Sequence, residues 1–439
     1  MNMAIGDKKS SPLHSIFIFY SAAIALFTFL FMLPISNVNS IRFIDALFLS
    51  SSGISVTGLS TIDITTELTR VGQAFLLIEI QFGGIGIMVF ITYLFLLLGK
   101  ELSLPQLLVL SADQNQRSIK SIRNVTLIIS LITFVAETIG FALMYPSISH
   151  RYTNSFDALF ITTFHSVSSF TNAGFDLFGN GLKDYTSSPI MLLSTCLLIA
   201  LGVLGFPTII EFVTRRGKKK SLYTKVNLAM HFTLWIMGFV LIFFTEFRHS
   251  LESLSLWDKA FNSLFLSVSS RSGGIASTDT SLFSNSTMLI VIFLMFIGAS
   301  PSSVGGGIRT TTFALILSKM WSIIKGREET ILFNRSIHEE DFNKAFLITT
   351  SFVFIFSASL ITLSSIEEVN TTKLAFEIMS ALTTTGLSTG ITAALTTFSK
   401  VWLIILMFIG RIGVISCIYL FVKPKKSKTK YIKESIIVG

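Results

Sequence analysis

The stretch Ser55-Val56-Thr57-Gly58-Leu59 decides the fold that we predict for this chain. It is short, polar and glycine-bearing, and it lies between a short apolar run at 46–49 and a long one that begins at residue 71. Related stretches follow in the same context: Thr171-Asn172-Ala173-Gly174-Phe175, Ser272-Gly273-Gly274-Ile275 and Thr384-Thr385-Gly386-Leu387. A recurrence in fixed order indicates an internally repeated architecture.

The composition is that of an integral membrane protein. Hydrophobic residues make up 51% of the 439 residues and charged residues only 13%, whereas a soluble domain carries roughly a quarter charged residues. The net charge of +9 lies mostly in loops beside the apolar runs, as membrane topology requires, and does not indicate nucleic-acid binding. Cys196 and Cys417 fall inside apolar runs without metal-ligand spacing, so we expect small core residues and no structural disulfide.

The order of apolar runs predicts an all-α polytopic membrane protein with four pseudo-symmetric helix–pore half-helix–helix repeats around a central pore. The predicted repeats are 14–98, 123–214, 226–322 and 344–421, followed by a basic cytoplasmic tail at 422–439. Their half-helices are expected at 46–52, 157–167, 259–270 and 374–382. Eight spans result. We expect the returning spans to be interrupted at 81–86, 202–207 and 298–312 and the fourth to run through 401–421, since non-helical backbone at membrane depth must be buried or line a cavity.

The placement of lysine and arginine predicts the orientation. These residues are concentrated before the first span, between the repeats and in the tail. The positive-inside tendency puts both termini in the cytoplasm of a multi-pass inner-membrane protein and turns the glycine stretches outward. The basic tail either fixes topology and touches anionic lipid, or docks a partner.

The four glycine stretches suit a cation filter. Backbone carbonyls replace the hydration shell of a potassium ion when the chain is held extended, and glycine permits the positive φ that this requires. The half-helices would point their negative dipole ends at the ion. Asp63, Asp176 and Asp279 follow the glycines and form either an acidic outer mouth or ordinary solvated loop carboxylates. The candidate filter residues are Val56, Thr57, Gly58, Asn172, Ala173, Gly174, Ser272, Gly273, Gly274, Thr384, Thr385 and Gly386.

A second polar segment interrupts the third returning span. Proline and clustered glycines forbid a continuous helix there, and the apolar halves on either side are each too short to span alone. We name residues 300–308 the gate loop; a simple kink or a surface loop is the alternative. Its candidate gate residues are Ser300, Pro301, Ser302, Ser303, Val304, Gly305, Gly306 and Gly307.

Arg411 lies within the fourth returning span. An arginine at membrane depth is costly and is by default functional or specifically paired. It either places positive charge below the filter and anchors the gate loop, or forms a structural ion pair with Glu79 or Glu137, which also lie in apolar runs. His165, near the second glycine stretch, is expected to be a packing residue of its half-helix.

At these residues the sequence resembles the Trk/Ktr/HKT superfamily of potassium transporters, and it is most similar to the membrane subunit of Ktr systems. The motif Gly305-Gly306-Gly307-Ile308-Arg309-Thr310-Thr311-Thr312 is the most specific part of the resemblance. It implies that Gly58, Gly174, Gly274 and Gly386 are the filter glycines, that residues 300–308 gate the pore, and that Arg411 lies beneath the filter. Four glycines imply potassium rather than sodium. No extra helix pair precedes the first repeat, which favours the Ktr type. Gly273 and Ile275 depart from the usual alanine and phenylalanine.

The resemblance also implies partners: a homodimer in the lipid bilayer, bound to a cytoplasmic nucleotide-binding regulatory subunit of the KtrA or TrkA kind. No dinucleotide fingerprint exists in this chain, so any nucleotide would bind the partner. The expected activity is potassium uptake through a gated pore. Two alternatives stay open for sodium: the uptake depends on it, or it does not. The alternatives are a sodium-conducting relative and a secondary transporter for an organic solute. An intramembrane enzyme is less favoured, because no metal cluster or nucleophile–base pair appears in the spans.

Overall fold

The structure, a computed structural model, describes residues 12–86, 122–214, 219–421 and 434. The described residues contain fifteen α-helices: α1 Pro12–Met32, α2 Phe43–Ser55, α3 Arg70–Ile85, α4 Ile122–Ser149, α5 Ser155–Thr171, α6 Pro189–Val203, α7 Phe206–Thr214, α8 Leu222–Glu246, α9 Leu256–Ser269, α10 Asn285–Phe296, α11 Thr310–Ile324, α12 Glu339–Ser364, α13 Thr371–Leu382, α14 Thr397–Ile412 and α15 Val414–Phe421. A two-stranded hairpin joins α11 to α12, with β1 Ile331–Leu332 antiparallel to β2 Arg335–Ser336. The predicted all-α class is confirmed.

The same triplet of helices occurs four times. A long apolar helix, a short half-helix and a returning helix follow one another as α1–α3, α4–α6, α8–α10 and α12–α14. The four first helices contain the segments long and apolar enough to cross a membrane: His14–Met32, Thr126–Ser149, Leu222–Glu246 and Glu339–Ser364. Their outer faces expose large side chains such as Phe134, Phe244 and Phe354, which in a membrane protein are the lipid-facing positions.

The triplets close into a ring. Each half-helix packs on the first helix of its own repeat and also on the returning helix of the preceding repeat. Thus α5 contacts α3, α9 contacts α6, α13 contacts α10, and α2 contacts α14. The last of these contacts joins the fourth repeat to the first, so the half-helices lie inside a closed circle formed by the first and returning helices.

Aspartates at the half-helix N-termini bind the ring together. Asp45, Asp157 and Asp258 lie in the first turns of α2, α5 and α9, where a negative charge is favoured by the helix dipole. Each contacts the start of the preceding returning helix: Asp157 with Arg70 at 2.6 Å, Asp258 with Ser187 at 3.2 Å and Asp45 with Lys400 at 3.2 Å. An aspartate in the first turn of a half-helix therefore makes a recurring contact between neighbouring repeats of this chain.

The first two half-helices extend beyond their predicted C-terminal ends, whereas α9 ends one residue before its predicted end, at Ser269, and α13 ends at Leu382 as predicted. Ser55 and Thr171, which we assigned to the glycine stretches, are the last residues of α2 and α5. The prediction was wrong because it treated these hydroxyls as loop signals. Instead Ser55 donates to the Ser51 carbonyl at 2.6 Å and Thr171 donates to the Val167 carbonyl at 2.7 Å, so each hydroxyl is satisfied within the helix.

The second, third and fourth returning segments are broken, and the helix of the first ends at Ile85, next to Gly86, the last residue described there. The break between α6 and α7 bends the chain by 96°, and the gap between α10 and α11 contains the non-helical gate loop. The interruption expected at 81–86 begins only at Gly86, because 81–85 are helical. The continuous helix expected over 401–421 was wrong: it ends at Ile412, before Gly413 with a φ of 93°. Residues 87–98 and most of the tail lie outside the described residues.

Candidate ion-conduction site

The four predicted filter glycines meet in a ring that follows chain order. A β-carbon at Gly58 would lie 2.8 Å from the Cα of Gly174, and one at Gly174 would lie 3.1 Å from the Cα of Gly274. By the same measure Gly274 approaches Gly386 within 3.3 Å, and Gly386 approaches Gly58 within 3.1 Å. All four have positive φ, between 69° and 97°. Glycine is required here both by the backbone conformation and by the lack of space for a side chain.

Three of the filter segments enter this ring through a left-handed residue. Val56, Asn172 and Thr384 have φ values of 57°, 55° and 49°. Such a conformation is unusual for any residue with a β-carbon and rarest for branched ones, so Val56 and Thr384 store backbone strain. Strain of this kind persists only where the surroundings impose it, and it is concentrated at functional sites.

The first and fourth segments are fastened by the same contact to their own half-helix. The Gly58 N–H donates to the Ser52 hydroxyl at 3.0 Å, and the Gly386 N–H donates to the Ser380 hydroxyl at 2.9 Å. Hydroxyl pairs add to both segments: Ser55 with Thr57 and Thr383 with Thr385, each at 2.7 Å. These contacts hold the Gly58 and Gly386 peptide groups against their own half-helices.

The third segment is one residue shorter than the others. In the second and third repeats a serine hydroxyl donates to the carbonyl that follows the filter glycine, from Ser168 to Phe175 at 2.6 Å and from Ser269 to Ile275 at 2.5 Å. Gly174 comes six positions after its serine, whereas Gly274 comes only five after Ser269. The shorter connection has no left-handed turn, and Ser272 has a nearly extended φ of 158°.

The gate loop lies directly against two filter segments. A β-carbon at Gly305 would lie 2.8 Å from the β-carbon of Ser272, and one at Gly306 would lie 2.6 Å from the carbonyl oxygen of Thr383. The loop also pairs with the break in the second returning segment: Ser300 N–H with Val203 O at 3.0 Å, Phe206 N–H with Ser302 O at 3.0 Å and Val304 N–H with Gly202 O at 3.3 Å. The loop is therefore packed against other segments rather than a surface loop: five of its nine residues are buried and the other four, Pro301, Ser302, Ser303 and Gly307, are half-buried.

Arg411 connects this loop to the first repeat. It lies in the last turn of α14 and donates to the carbonyls of Val304 and Gly83. The alternative of an ion pair with Glu79 or Glu137 was wrong: Glu79 accepts from Ser50 at 2.8 Å and Glu137 accepts from Gln81 at 3.2 Å. The break after α14 explains the difference, because it brings the arginine to a helix end, where backbone carbonyls are within reach.

Sequence reasoning gave no role to the glycines beside the filter. Gly83, Gly202 and Gly410 each lack the side chain that would collide with the entry residue of their own repeat. A β-carbon at Gly83 would lie 2.7 Å from Val56, and one at Gly410 would lie 3.1 Å from Thr384. Their signal in the sequence is a glycine just ahead of each break, which lets the returning helix approach the filter closely.

Sequence reasoning also missed Arg271, which immediately precedes Ser272 and is completely buried. Its guanidinium donates to the carbonyl of Ile297 at 3.1 Å, to the carbonyl of Gly298 and to Nδ1 of His231 at 2.5 Å. A charged residue beside a filter glycine in so apolar a chain was the available signal. It satisfies the carbonyls at the C-terminal end of α10, where the helix breaks.

The predicted acidic mouth is only partly formed. Asp63 and Asp176 line a depression of about 580 Å³ together with Gly58 and Gly174. Asp279 is instead held in an ion pair: Lys183 binds it at 2.8 Å and lowers the pKa of that carboxyl to about 2, so its charge is compensated by the lysine.

His165 lies behind the second filter segment. It is buried, and its Nε2 lies 3.1 Å from the hydroxyl of Thr195. This placement accords with the packing role expected for it.

The arrangement suits one kind of chemistry. Four backbone segments surround one axis, and a buried polar loop lies below them. Rings of backbone carbonyls replace the hydration shell of a cation in passage. Residues 13–431 match the family model TrkH, described as a cation transport protein. The chain belongs to the TrkH family of cation transport proteins. It is a multi-pass membrane protein of a transporter family.

Curated relatives in the TrkH family match nearly the whole chain. Ktr system potassium uptake protein D of Bacillus subtilis (strain 168) is 37% identical, covering 98% of this chain and 97% of that protein. Ktr system potassium uptake protein B of the same organism is 32% identical over 93% of each chain. Potassium/sodium uptake protein NtpJ of Enterococcus hirae is 32% identical over 91% of each.

A solved member of the TrkH family has the same fold. The crystal structure of the potassium transporter TrkH from Vibrio parahaemolyticus matches with a TM-score of 0.74 at 17% identity. The match covers 96% of this chain and 86% of that one. At this identity the likeness speaks for the fold alone.

Proposed function

We propose that this protein takes up potassium ions across the cytoplasmic membrane, as the ion-translocating subunit of a Ktr/Trk-type system. The observation that carries the proposal is the ring of Gly58, Gly174, Gly274 and Gly386, each with positive φ and each without room for a side chain. Two relatives that match nearly the full chain are named potassium uptake proteins of Ktr systems, which supports potassium as the ion.

In this proposal the twelve filter residues named above supply the oxygen ligands. The carbonyls at and before each glycine replace the water around the ion. Asp63 and Asp176 face the entrance with negative charge and raise the local cation concentration. Membrane potential drives the ion inward.

The gate loop and Arg411 control the flow. Gly305 and Gly306 lie against the third and fourth filter segments, so the loop must move before an ion passes. Arg411 holds the loop to the first repeat through the Val304 and Gly83 carbonyls. Its positive charge below the filter opposes a cation in transit.

The proposed assembly is a homodimer in the inner membrane with both termini in the cytoplasm. A cytoplasmic regulatory subunit of the KtrA or TrkA kind carries the nucleotide and acts on the gate. The basic loops between repeats and the basic tail support this orientation, and two relatives carry the name of the Ktr system.

Two other functions make different predictions. A sodium-conducting relative is favoured by the similarity to NtpJ, which is named a potassium/sodium uptake protein. A secondary transporter for an organic solute predicts that cation flux survives Gly58→Ser or Gly174→Ser. The lack of space at both positions argues against that survival.

The deciding experiment is ion uptake in a host that lacks its own potassium transport. Cells producing the full chain, with and without a candidate regulatory subunit, are given K⁺ alone, Na⁺ alone, and K⁺ with Na⁺. Potassium uptake above the empty-vector control is expected. Uptake of Na⁺ in preference to K⁺ would replace potassium with sodium as the substrate. A K⁺ uptake that needs Na⁺ would establish sodium dependence.

The gate is tested by shortening the loop. Deleting residues 303–305 removes the Val304 carbonyl that Arg411 binds and should raise K⁺ flux in the same host. Membrane abundance is measured alongside by immunodetection. An unchanged or abolished flux in deletion protein of normal abundance would contradict the gate.

A further inference from the structure

A chain of hydrogen bonds runs from the third filter segment to the gate loop. Arg271 donates to Nδ1 of His231 at 2.5 Å, and Nε2 of His231 lies 2.8 Å from the hydroxyl of Ser300. Ser300 then donates to Oδ1 of Asn227 at 2.6 Å. Arg271 and Ser300 belong to the filter end and to the loop, respectively, while His231 and Asn227 lie on α8.

The direction of this chain is fixed by chemistry. A guanidinium has only donors, so Nδ1 of His231 must accept and its proton must be on Nε2. That proton is donated to Ser300, whose own hydroxyl proton remains for Asn227. Only one set of hydrogen-bond directions therefore satisfies all four members. In it, His231 is the neutral Nε2–H tautomer.

The chain also reaches both broken helices. Oδ1 of Asn227 accepts a second bond from Thr310, the first residue of α11, at 2.6 Å. Its amide nitrogen donates to the Leu204 carbonyl at 2.8 Å and to the Thr208 hydroxyl at 3.0 Å, at the break between α6 and α7. Asn227 thus joins the break between α6 and α7 to the break between α10 and α11, which contains the gate loop.

All four members of this hydrogen-bond chain are buried. Arg271, His231, Ser300 and Asn227 are each fully buried. No carboxylate in the part of the chain that the structure describes lies within 4 Å of Arg271. Because these bonds are buried, displacing one member leaves the next unsatisfied. Movement of Ser300 with the loop therefore disturbs the hydrogen bond between His231 and Arg271.

We propose that Arg271 and His231 are positioning residues that couple the third filter segment to the gate loop, so that ion selectivity depends on the position of the loop. The third segment needs such support because it is one residue shorter and lacks the left-handed turn that fixes the other three. The inference rests on the proposed potassium uptake, and it adds that opening the gate and selecting the ion are not independent.

The test measures the ratio of K⁺ to Na⁺ uptake by the purified full chain in vesicles. The variants are His231→Phe, Ser300→Ala and the two combined. Each single variant should lower the ratio by about five- to thirtyfold, as expected for the loss of one buried bond in a connected network. The double variant should be no worse than the worse single one, since the two residues belong to one chain.

Two further variants separate positioning from general damage. His231→Gln retains one acceptor and one donor and should keep the ratio within about twofold of the wild type. Ser267→Ala removes a part-buried 2.7 Å bond from the Ser267 hydroxyl on α9 to the Trp235 carbonyl on α8, without touching the chain. It should leave the ratio unchanged.

Three results would overturn the coupling: unchanged ratios in His231→Phe and Ser300→Ala, additive losses in the double variant, or an equal loss in Ser267→Ala. Arg271→Gln, recovered in folded form, should lower the ratio at least as far as His231→Phe, and an unchanged ratio would also overturn the coupling. A wild-type protein that takes up no K⁺ would overturn the proposed function instead, and this is seen before any variant is measured.

Discussion

The first and third filter segments bring the same glycine to the same ring in different ways. Around Gly58 the local chain is sufficient: Val56 turns into the left-handed region and Ser52 holds the glycine N–H at 3.0 Å. Around Gly274 the local chain is one residue short, Ser272 is nearly extended, and Arg271 is bound to a distant part of the protein.

The comparison shows that internal symmetry of position does not require symmetry of support. The first segment is held by its own half-helix. The third is also held by its own half-helix, through Ser269, but its Arg271 binds the carbonyls at the break in the returning helix, where the gate loop begins. The segment that lacks the left-handed turn is one of the two that lie against the gate loop, and the predictions below examine that difference.

The largest effects are expected at the glycines themselves. Gly58→Ser would bring a β-carbon to 2.5 Å from the Ala173 carbonyl oxygen, and Gly274→Ser would bring one to 2.8 Å from the Cα of Gly174. Both should lower K⁺ uptake about a hundredfold or more, because the obstacle is backbone and both φ values are positive. Rubidium uptake by cells provides the measurement.

The control for that prediction is Gly326→Ser. Gly326 also has a positive φ, of 63°, but has no neighbouring atoms within 4 Å of its would-be β-carbon. It should retain uptake. If Gly274→Ser were tolerated while Gly58→Ser was not, the third segment would not be an equal member of the ring.

Arg411→Gln should have the next largest effect. It removes the tether between the Val304 and Gly83 carbonyls together with the charge below the filter. K⁺ flux should rise about tenfold, as for the loss of one charge-assisted contact. Lys319→Gln serves as the matched loss of a cation, since Lys319 pairs with Glu339 away from the loop. Flux equal to the wild type in both variants would show that Arg411 does not restrain the loop.

A smaller effect should separate the local supports. Ser52→Ala leaves the Gly58 N–H without its acceptor and should lower the K⁺ to Na⁺ uptake ratio about fivefold. Ser269→Ala should cost at least as much, because the Ser269 hydroxyl accepts the Ile275 N–H at 3.1 Å and donates to the Ile275 carbonyl at 2.5 Å. Ser51→Ala is the control, since the Ser51 hydroxyl is buried without a partner. Equal ratios in all three would mean that hydroxyl support is unimportant.

The smallest effect concerns the outer loops. Asp63 caps its own loop by accepting the Thr65 N–H at 2.9 Å, whereas Asp279 binds Lys183 of the second repeat. Because the pKa of Asp279 lies at about 2, below its ordinary 3.8, the pair stabilises the fold above pH 3.8 and loses this effect as the pH falls towards 2. The pair is partly exposed, so Lys183→Gln should cost under about 1 kcal/mol at pH 7.

Thermal unfolding of detergent-solubilised protein checks this prediction. The difference between Lys183→Gln and the wild type should disappear near pH 2. A difference that persisted there, or exceeded that of a buried substitution, would show that Lys183 acts through something other than this ion pair.

Much of the fold could be predicted because the same sequence pattern occurs four times. The apolar runs, the glycines and their order set the triplets and placed Gly58, Gly174, Gly274 and Gly386 in related positions. The ends of the elements were less accessible: Ser55 reads as a loop residue until its bond to the Ser51 carbonyl is seen. The break at Gly413 was hidden because apolar residues surround it and the run is long enough to span.

The support of the site could not be predicted, because its partners are distant and chemically unalike. Arg271 binds His231 forty positions away and two carbonyls that any residue could provide. The ring contacts of Asp157, Asp258 and Asp45 go to an arginine, a serine and a lysine. The sequence contains no repeated residue type that would predict such pairs, because only the position of the partner recurs from repeat to repeat.

The pair between Asp45 and Lys400 also constrains how the protein is made. The two side chains are almost fully buried and are joined across 355 positions. A nascent chain that has inserted three repeats has no Lys400, and a half-helix α2 with an open flank where α14 will lie. Membrane insertion therefore leaves the circle open until nearly the last helix has been synthesised. Truncation before residue 400 should yield a product that quality-control proteases recognise, however well its first three repeats are folded.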